Sequence, residues 1–290
     1  MKRRAKKPPV GVVCDTGRRR KNNEDSWLIH EPQDMTTLKT KGRLYVVADG
    51  MGGAAAGEVA SCLAVQTVKE RYFSRQDEAP LESLKQAILS ADKTIRQQSH
   101  SVPGQSGMGT TITAVSVVGD TAYVAHVGDS RAYVIRHEQI ICLTRDQTVV
   151  ADLVRQGKIG IKEAESHPHR HMLTQSVGGG ARPPEVYVLS YPLEPGDFLV
   201  LCTDGLYNVV SDKEIKEAVA LNQDLQRAAE MLVHLANKRG GPDNITAVAV
   251  KIQDPVGAEG GLIRKGIGTA ALLIILVAIV AIAYYLVVPR

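Results

Sequence analysis

The sequence predicts an α+β fold: a central antiparallel β-sandwich flanked by α-helices, layered αββα, followed by one C-terminal transmembrane helix. Three observations predict it. Four strand-like runs follow one another over residues 110–143 with links of about two residues, the spacing of antiparallel hairpins. These runs are apolar on nearly every residue, so both faces of their sheet need cover, a second sheet on one side and helices on the other. Finally, residues 266–288 are 23 positions without a charge, rich in Leu, Ile, Val and Ala.

Taken in order, residues 1–9 are a basic tail carrying Lys2, Arg3, Arg4, Lys6 and Lys7, with no apolar core of a secretory signal behind it. RLYVVAD (43–49) reads as a strand. Residues 54–73 read as a helix with Val59, Leu63 and Tyr72 on apolar spacing, and 81–99 as another with Leu81, Leu84, Ile88, Ala91 and Ile95 on one face. TTITAVSVV (110–118), TAYVAHVG (121–128), RAYVIR (131–136) and QIICL (139–143) are strands joined as hairpins. Residues 144–184 are polar and irregular. EVYVL and DFLVLCT are strands, 212–221 and 224–238 helices, and NITAVAVKI (244–252) closes the domain, which spans 10–253. A linker, 254–265, leads to the apolar run. As a helix that run would be ~34 Å long, enough for a hydrocarbon core of ~30 Å. Arg264 and Lys265 before it, and Tyr284 and Tyr285 near its far end, suit the two interfaces and a cytoplasmic domain on a single-pass membrane protein. The basic tail either meets anionic lipid or stays solvated.

The 290 residues are 44% hydrophobic and 23% charged, which excludes a disordered or fibrous chain. Net charge is +4, but eight positive charges sit at the two ends, leaving residues 11–262 at −4. No nucleic-acid partner is expected of such a domain. Cys14, Cys62, Cys142 and Cys202 form no CxxC pair. They exclude a disulfide framework or zinc ribbon and read as buried reduced thiols.

Carboxylates recur at strand ends: Asp49 after LYVVA, Asp129 after AHVG, Asp204 after FLVLCT, and Asp243 just before NITAVAV. In antiparallel sheets the end of one strand and the start of its neighbour share a rim, so the four can converge. Converging carboxylates repel unless a cation neutralises them, and oxygen donors suit Mg²⁺ or Mn²⁺. The competing reading is that Asp49-Gly50 and Asp204-Gly205 are ordinary turns. Residues 15–26, DTGRRRKNNEDS, place Asp15, Glu24 and Asp25 around Arg18, Arg19, Arg20 and Lys21. Such a run is either a solvated loop or a phosphate-handling one, acids holding waters beside an arginine fork. His167, His169 and His171 alternate in a polar loop, a pattern more often exposed than metal-bound. Gly178, Gly179 and Gly180 lack the strand-to-helix setting of a phosphate loop.

Six motifs in order resemble the metal-dependent type 2C (PPM) Ser/Thr protein phosphatases, bacterial branch. They are D-x-G-x-x-R-x-x-N-E-D (Asp15, Gly17, Arg20, Asn23, Glu24, Asp25), VADGMGG (47–53), GMGTTITA (107–114), VGDSRAY (127–133), LCTDGL (201–206) and GPDNITAV (241–248). The resemblance covers residues 10–252. It implies two tightly bound Mn²⁺ or Mg²⁺ ions and a weaker third. Asp49 would bridge the pair, the Gly50 carbonyl would ligate one ion, Asp204 and Asp243 the other, and Asp129 would serve the third. Glu24 and Asp25 would hold metal waters and Arg20 the substrate phosphate. It further implies in-line attack on phosphorus by activated water, with no covalent intermediate. Met51 stands where animal members carry a histidine proposed as general acid, so that role is unassigned. Residues 144–184 match the family's flap. The expected partners are proteins phosphorylated on Ser or Thr, a membrane Ser/Thr kinase by family analogy, and the membrane itself. Two alternatives stand beside this: a relative narrowed to one phosphorylated regulator such as an anti-sigma antagonist, and a non-catalytic phosphoprotein binder.

Overall fold

The computed structural model describes residues 9–52 and 56–253. The basic tail up to residue 8, residues 53–55, the expected linker and the expected transmembrane run at 266–288 lie outside the described residues. Among the described residues no helix is long and apolar enough to cross a membrane.

The chain begins with β1 (Val10–Asp15), β2 (Asp25–His30), α1 (Met35–Thr40), β3 (Arg43–Met51), α2 (Ala56–Ser74) and α3 (Pro80–Ser101). There follow β4 (Gly109–Thr110), β5 (Ile112–Val118), β6 (Thr121–Val127), β7 (Arg131–Arg136) and β8 (Gln139–Cys142). Helices α4 (Val149–Arg155) and α5 (Ile161–Ser166) precede β9 (Tyr187–Pro192) and β10 (Phe198–Cys202). The last elements are α6 (Asp204–Tyr207), α7 (Asp212–Ala220), α8 (Leu225–Lys238) and β11 (Ile245–Lys251).

Two antiparallel sheets form, one in the order β1-β11-β10-β7-β8, the other β2-β3-β5-β6-β9 with β4 on the end of β3. Side-chain alternation produces the layers. Along β3, Leu44, Val46 and Ala48 enter the core under α2 and α3, whereas Tyr45 and Val47 enter the core between the sheets. Along β11, Ile245, Ala247 and Ala249 face α7 and α8, whereas Val248 and Val250 face the other sheet. Strands apolar on both faces thus fill three cores, and the αββα expectation holds for the described residues.

Four expectations need correction. The link at 128–130 is not a hairpin: β6 pairs with β5 and β9, while β7 pairs with β8 and β10, so Gly128-Asp129-Ser130 carries the chain from one sheet to the other. Gly128 permits this with φ +106, and a Cβ there would lie 2.6 Å from the Thr111 side chain. On α2 the face against the sheet is made of Ala60, Ala64 and Val68 with Tyr72, while Val59 and Leu63 are only partly buried. Small residues let α2 approach closely. The irregular 144–184 stretch contains α4 and α5. Cys62 and Cys142 are exposed, and of the four thiols only Cys202 is fully buried. β1 and β2 were not anticipated as strands. β2 has mixed polarity at a sheet edge, with Trp27 exposed.

Polar groups inside are tied. The Tyr72 hydroxyl lies 2.7 Å from both the Lys41 carbonyl and the Ser116 hydroxyl, pinning α2 to the residue that precedes β3 by two positions. His126 on β6 is fully buried, its Nδ1 2.8 Å from the Thr113 hydroxyl and its Nε2 3.0 Å from the Gly128 carbonyl. Burial pushes its pKa down to about 4. The unfolded value is near 6.5, so the neutral imidazole contributes stability above that pH and loses it as pH falls toward 4. Between pH 7 and 5 the native protein should therefore lose about 2 kcal/mol more than His126→Gln does. Urea unfolding of both proteins at the two pH values checks this, and equal losses would refute it.

Candidate metal and phosphate site

The sheet-crossing geometry brings one end of both sheets to a single rim. β3 and β6 run the same way, each antiparallel to β5, so Asp49 and Asp129 reach that end together. In the other sheet β10 leads up to Asp204 and β11 departs just after Asp243. One cavity is lined by Asp49, Gly50, Asp129, Asp204, Asp243 and Arg20, with Glu24 at its side. All seven belong to the expected set. The eighth, Asp25, sits directly behind, paired in register with Asp49 across β2 and β3.

Neither Asp-Gly pair is a simple turn. Asp49-Gly50 lies within β3, and a Cβ on Gly50 would come within 2.1 Å of the Gly57 carbonyl oxygen and 2.6 Å of the Glu24 carbonyl oxygen. Glycine is required there by the first turn of α2 and the start of β2. Asp204-Gly205 opens α6, where a Cβ would lie 1.9 Å from the Asn244 carbonyl oxygen.

Asp49 is held through its main chain. Its N–H donates to the Thr111 hydroxyl at 2.9 Å, and its carbonyl accepts from the Thr110 hydroxyl at 2.8 Å and the Thr111 N–H at 2.9 Å. Asp25 accepts from the Thr203 and Thr246 hydroxyls at 2.8 and 2.7 Å on one oxygen, while its Oδ1 is buried without a partner. Asp204 takes a 3.1 Å bond from Asn208 on Oδ2, and its Oδ1 is likewise buried and unpartnered. Burial, then repulsion from neighbouring carboxylates, pushes Asp25 up to about 7 and raises Asp49 and Asp129 well above the usual carboxylate range, with Asp204 raised as well. Glu24 is raised chiefly by burial. Arg20 donates from Nη2 to Asp243 at 2.7 Å, and that bond raises its own pKa.

Crowded buried carboxylates with orphaned oxygens fit hard divalent cations. Among the described residues no group of three His, Cys, Asp or Glu side chains is already drawn together tightly enough to hold an ion. Carboxylate and main-chain oxygens with water are the donors that Mg²⁺ and Mn²⁺ take. His171 Nδ1 is 3.8 Å from Asp204 at the mouth, whereas the main-chain N–H of His169 donates to His167 Nδ1. The three histidines do not act as one cluster.

Sequence reasoning missed the residues that hold this frame. Asn244 donates from Nδ2 to the Thr16 and Asn22 carbonyls at 2.9 Å each and accepts from the Glu24 N–H at 2.8 Å. One amide thereby ties the Arg20 loop to the start of β11. Thr203 and Thr246 bridge two strands onto Asp25. Beside the cavity, Arg131 forks onto Asp146 at 3.0 and 2.7 Å and stacks 3.7 Å over the Tyr207 ring. Asn244→Ala should cost about 2–4 kcal/mol, the sum of three hydrogen bonds made by a buried amide. Asn244→Asp, which cannot donate, should recover little of it. Chemical denaturation decides this, and a loss below about 0.5 kcal/mol for Asn244→Ala would show that the amide is not a staple.

Residues 18–244 match the family model described as Protein phosphatase 2C. The chain is 36% identical over 240 residues to the serine/threonine protein phosphatase PstP of Mycobacterium tuberculosis, across 83% of this chain but 44% of that protein's length. It is 34% identical over 256 residues to the serine/threonine phosphatase Stp of Listeria innocua, covering 87% of this chain and 96% of that one. The crystal structure of the M. tuberculosis phosphatase superposes with a TM-score of 0.73 at 35% identity, covering 84% of this chain and 98% of that one. The catalytic domain of PstP with two manganese ions superposes at 0.72 with 33% identity, covering 84% and 98%. Motif order, layered sheets, carboxylate rim and these similarities agree, and the chain belongs to the protein phosphatase 2C family.

Proposed function

We propose that the chain hydrolyses phosphoserine and phosphothreonine in proteins with Mn²⁺ or Mg²⁺, opposes a bacterial Ser/Thr kinase, and works at the membrane. The observation that carries the activity is the convergence of Asp49, Asp129, Asp204 and Asp243 in one cavity beside Arg20. Support comes from relatives named as Ser/Thr phosphatases and from the one solved with two manganese ions. The kinase follows from the chemistry, since each substrate must first be phosphorylated on Ser or Thr. The membrane reading rests on the 23 uncharged residues at 266–288 and the basic pair before them, with the domain on the cytoplasmic side.

In this reading Asp49 and the Gly50 carbonyl, with Asp204 and Asp243, would hold two ions, and Asp129 would serve a third. The ions, when bound, supply an activated water for attack on phosphorus and offset phosphoryl charge. The chain does the positioning. Thr110 and Thr111 fix the Asp49 backbone, and Asp25 backs it from a buried pocket. Glu24, beside Gly57 at the start of α2, orients water at the cavity edge. Arg20 shares its fork between Asp243 and the substrate phosphate, neutralising oxygens that carry charge through the transition state. Met51 has no proton to donate, so the proton for the leaving oxygen comes from elsewhere than this position.

Hydrolysis of p-nitrophenyl phosphate and a phosphothreonine peptide should require Mn²⁺ and stop with chelator. Asp204→Asn should bring kcat near background, with partial rescue by excess Mn²⁺. Arg20→Ala should cost roughly 10- to 150-fold, much of it in KM, and Arg20→Lys should recover part. Chelator-insensitive turnover, or Arg20→Ala kinetics equal to the wild type, would overturn these assignments. Deleting residues 263–290 should move the protein from the membrane fraction to the soluble one with activity intact. Persistence at the membrane after deletion would contradict the anchor.

A further inference from the structure

We propose that the turn beside the cavity reads acidic sequence next to the target residue: the preferred substrates carry Asp, Glu or a second phosphorylated residue close to the phosphorylated Ser or Thr. This rests on the phosphatase reading and names its substrate class. Arg18, Arg19, Arg20 and Lys21 are four consecutive cations, all exposed. Arg20 lines the cavity and has Asp243 as its partner. Among the described residues no carboxylate pairs with Arg18, Arg19 or Lys21. Arg239 pairs with Glu214, Arg155 with Asp152, and Arg136 with Asp197 and Glu194, whereas Arg75, Arg145, Arg170 and Arg182 are exposed without a carboxylate pair among the described residues but stand singly along the chain. An anionic ligand therefore meets three unspent charges in the turn that carries Arg20 and breaks no internal ion pair to reach them.

The turn is fixed in place. The Arg18 and Arg19 N–H groups donate to the Gly241 carbonyl at 2.8 and 3.2 Å. Asn244 holds the carbonyls of Thr16 and Asn22 on either side. Gly17 has φ +79, and a Cβ there would lie 2.0 Å from the Asp243 carbonyl oxygen. Lys238, exposed in the last turn of α8 three residues before Gly241, adds a further cation nearby. Charges on a rigid turn select by position, because little side-chain and loop freedom remains to be lost. Residues 11–262 carry a net −4, so the body of the domain repels acidic substrates while this edge attracts and orients them. An extended peptide advances about 3.3 Å per residue. With its phosphate at Arg20, the neighbouring cations come within reach of side chains about two to four positions away.

The test uses the full chain with Mn²⁺ and three phosphothreonine peptides sharing one core, flanked by Glu, Ala or Lys. The wild type should favour the Glu over the Lys peptide about tenfold in kcat/KM at low salt, as expected of three exposed ion pairs. The preference should shrink toward unity at about 0.5 M salt. The charge reversal R18E/R19E/K21E should invert the order, and a gain on the Lys peptide cannot come from damage to the fold. Fluorescence-anisotropy binding of the peptides to Asp204→Asn should follow the same order as wild-type turnover. Equal wild-type rates on all three peptides, or a reversed turn that still prefers Glu, would overturn the inference while leaving the phosphatase reading intact. A wild type that hydrolyses neither the peptides nor p-nitrophenyl phosphate would remove both.

Discussion

The carboxylates crowded at one end of the sandwich impose the constraint on which the rest of the site depends. Asp49, Asp129 and Asp204 are buried or nearly so beside Asp25 and Asp243, and each raises the cost of ionising its neighbours. Unfolded, these acids would be solvated and apart. Folding brings them together because β3, β6, β10 and β11 all open on the same rim. A fold selected for stability alone would replace them with hydrogen-bonded neutral groups. Their retention, with two carboxylate oxygens buried and unpartnered, is accounted for by cations that bind where the carboxylates cannot neutralise one another.

The surrounding structure serves that demand. The two sheets meet at Gly128-Asp129-Ser130, so a conformational necessity at Gly128 places Asp129 at the site. Gly50 and Gly205 let α2 and the start of β11 come within contact of the backbone that lines the cavity. Asn244 and the Thr203–Thr246 pair then lock three chain segments that are distant in sequence. Around this rigid acidic centre lies a basic edge, Arg18 to Lys21, of which only Arg20 is turned inward to the cavity. The division of charge suits the proposed chemistry on an anion, in which the interior carboxylates would hold cations and the basic groups would meet the substrate at the mouth.

Much of this was legible in the chain. The strands apolar on nearly every residue revealed a sheet covered twice, and strand-end acids revealed a shared rim, because both depend on local pattern. The resemblance of the six motifs assigned Arg20, Glu24 and Asp25, which local pattern left as an ambiguous loop. Illegible features depend on remote contacts. The link after β6 looks like a hairpin turn, and only the long-range pairing of β6 with β9 and of β7 with β10 shows that it changes sheets. Asn244 looks like a turn residue next to Asp243, and its three partners lie more than 200 positions away. β2 was missed because an edge strand with one wet face needs no apolar run. The buried face of α2 was misread because alanines carry little hydropathy, although they set the closest packing.

The central claim is that divalent cations offset this carboxylate crowding, and calorimetric titration of the metal-free full chain with Mn²⁺ tests it most directly. The account predicts two tight sites and a melting temperature that rises on saturation, by the linkage between binding and stability. A folded protein that takes up no Mn²⁺, or binds it with no change in melting temperature, would contradict it.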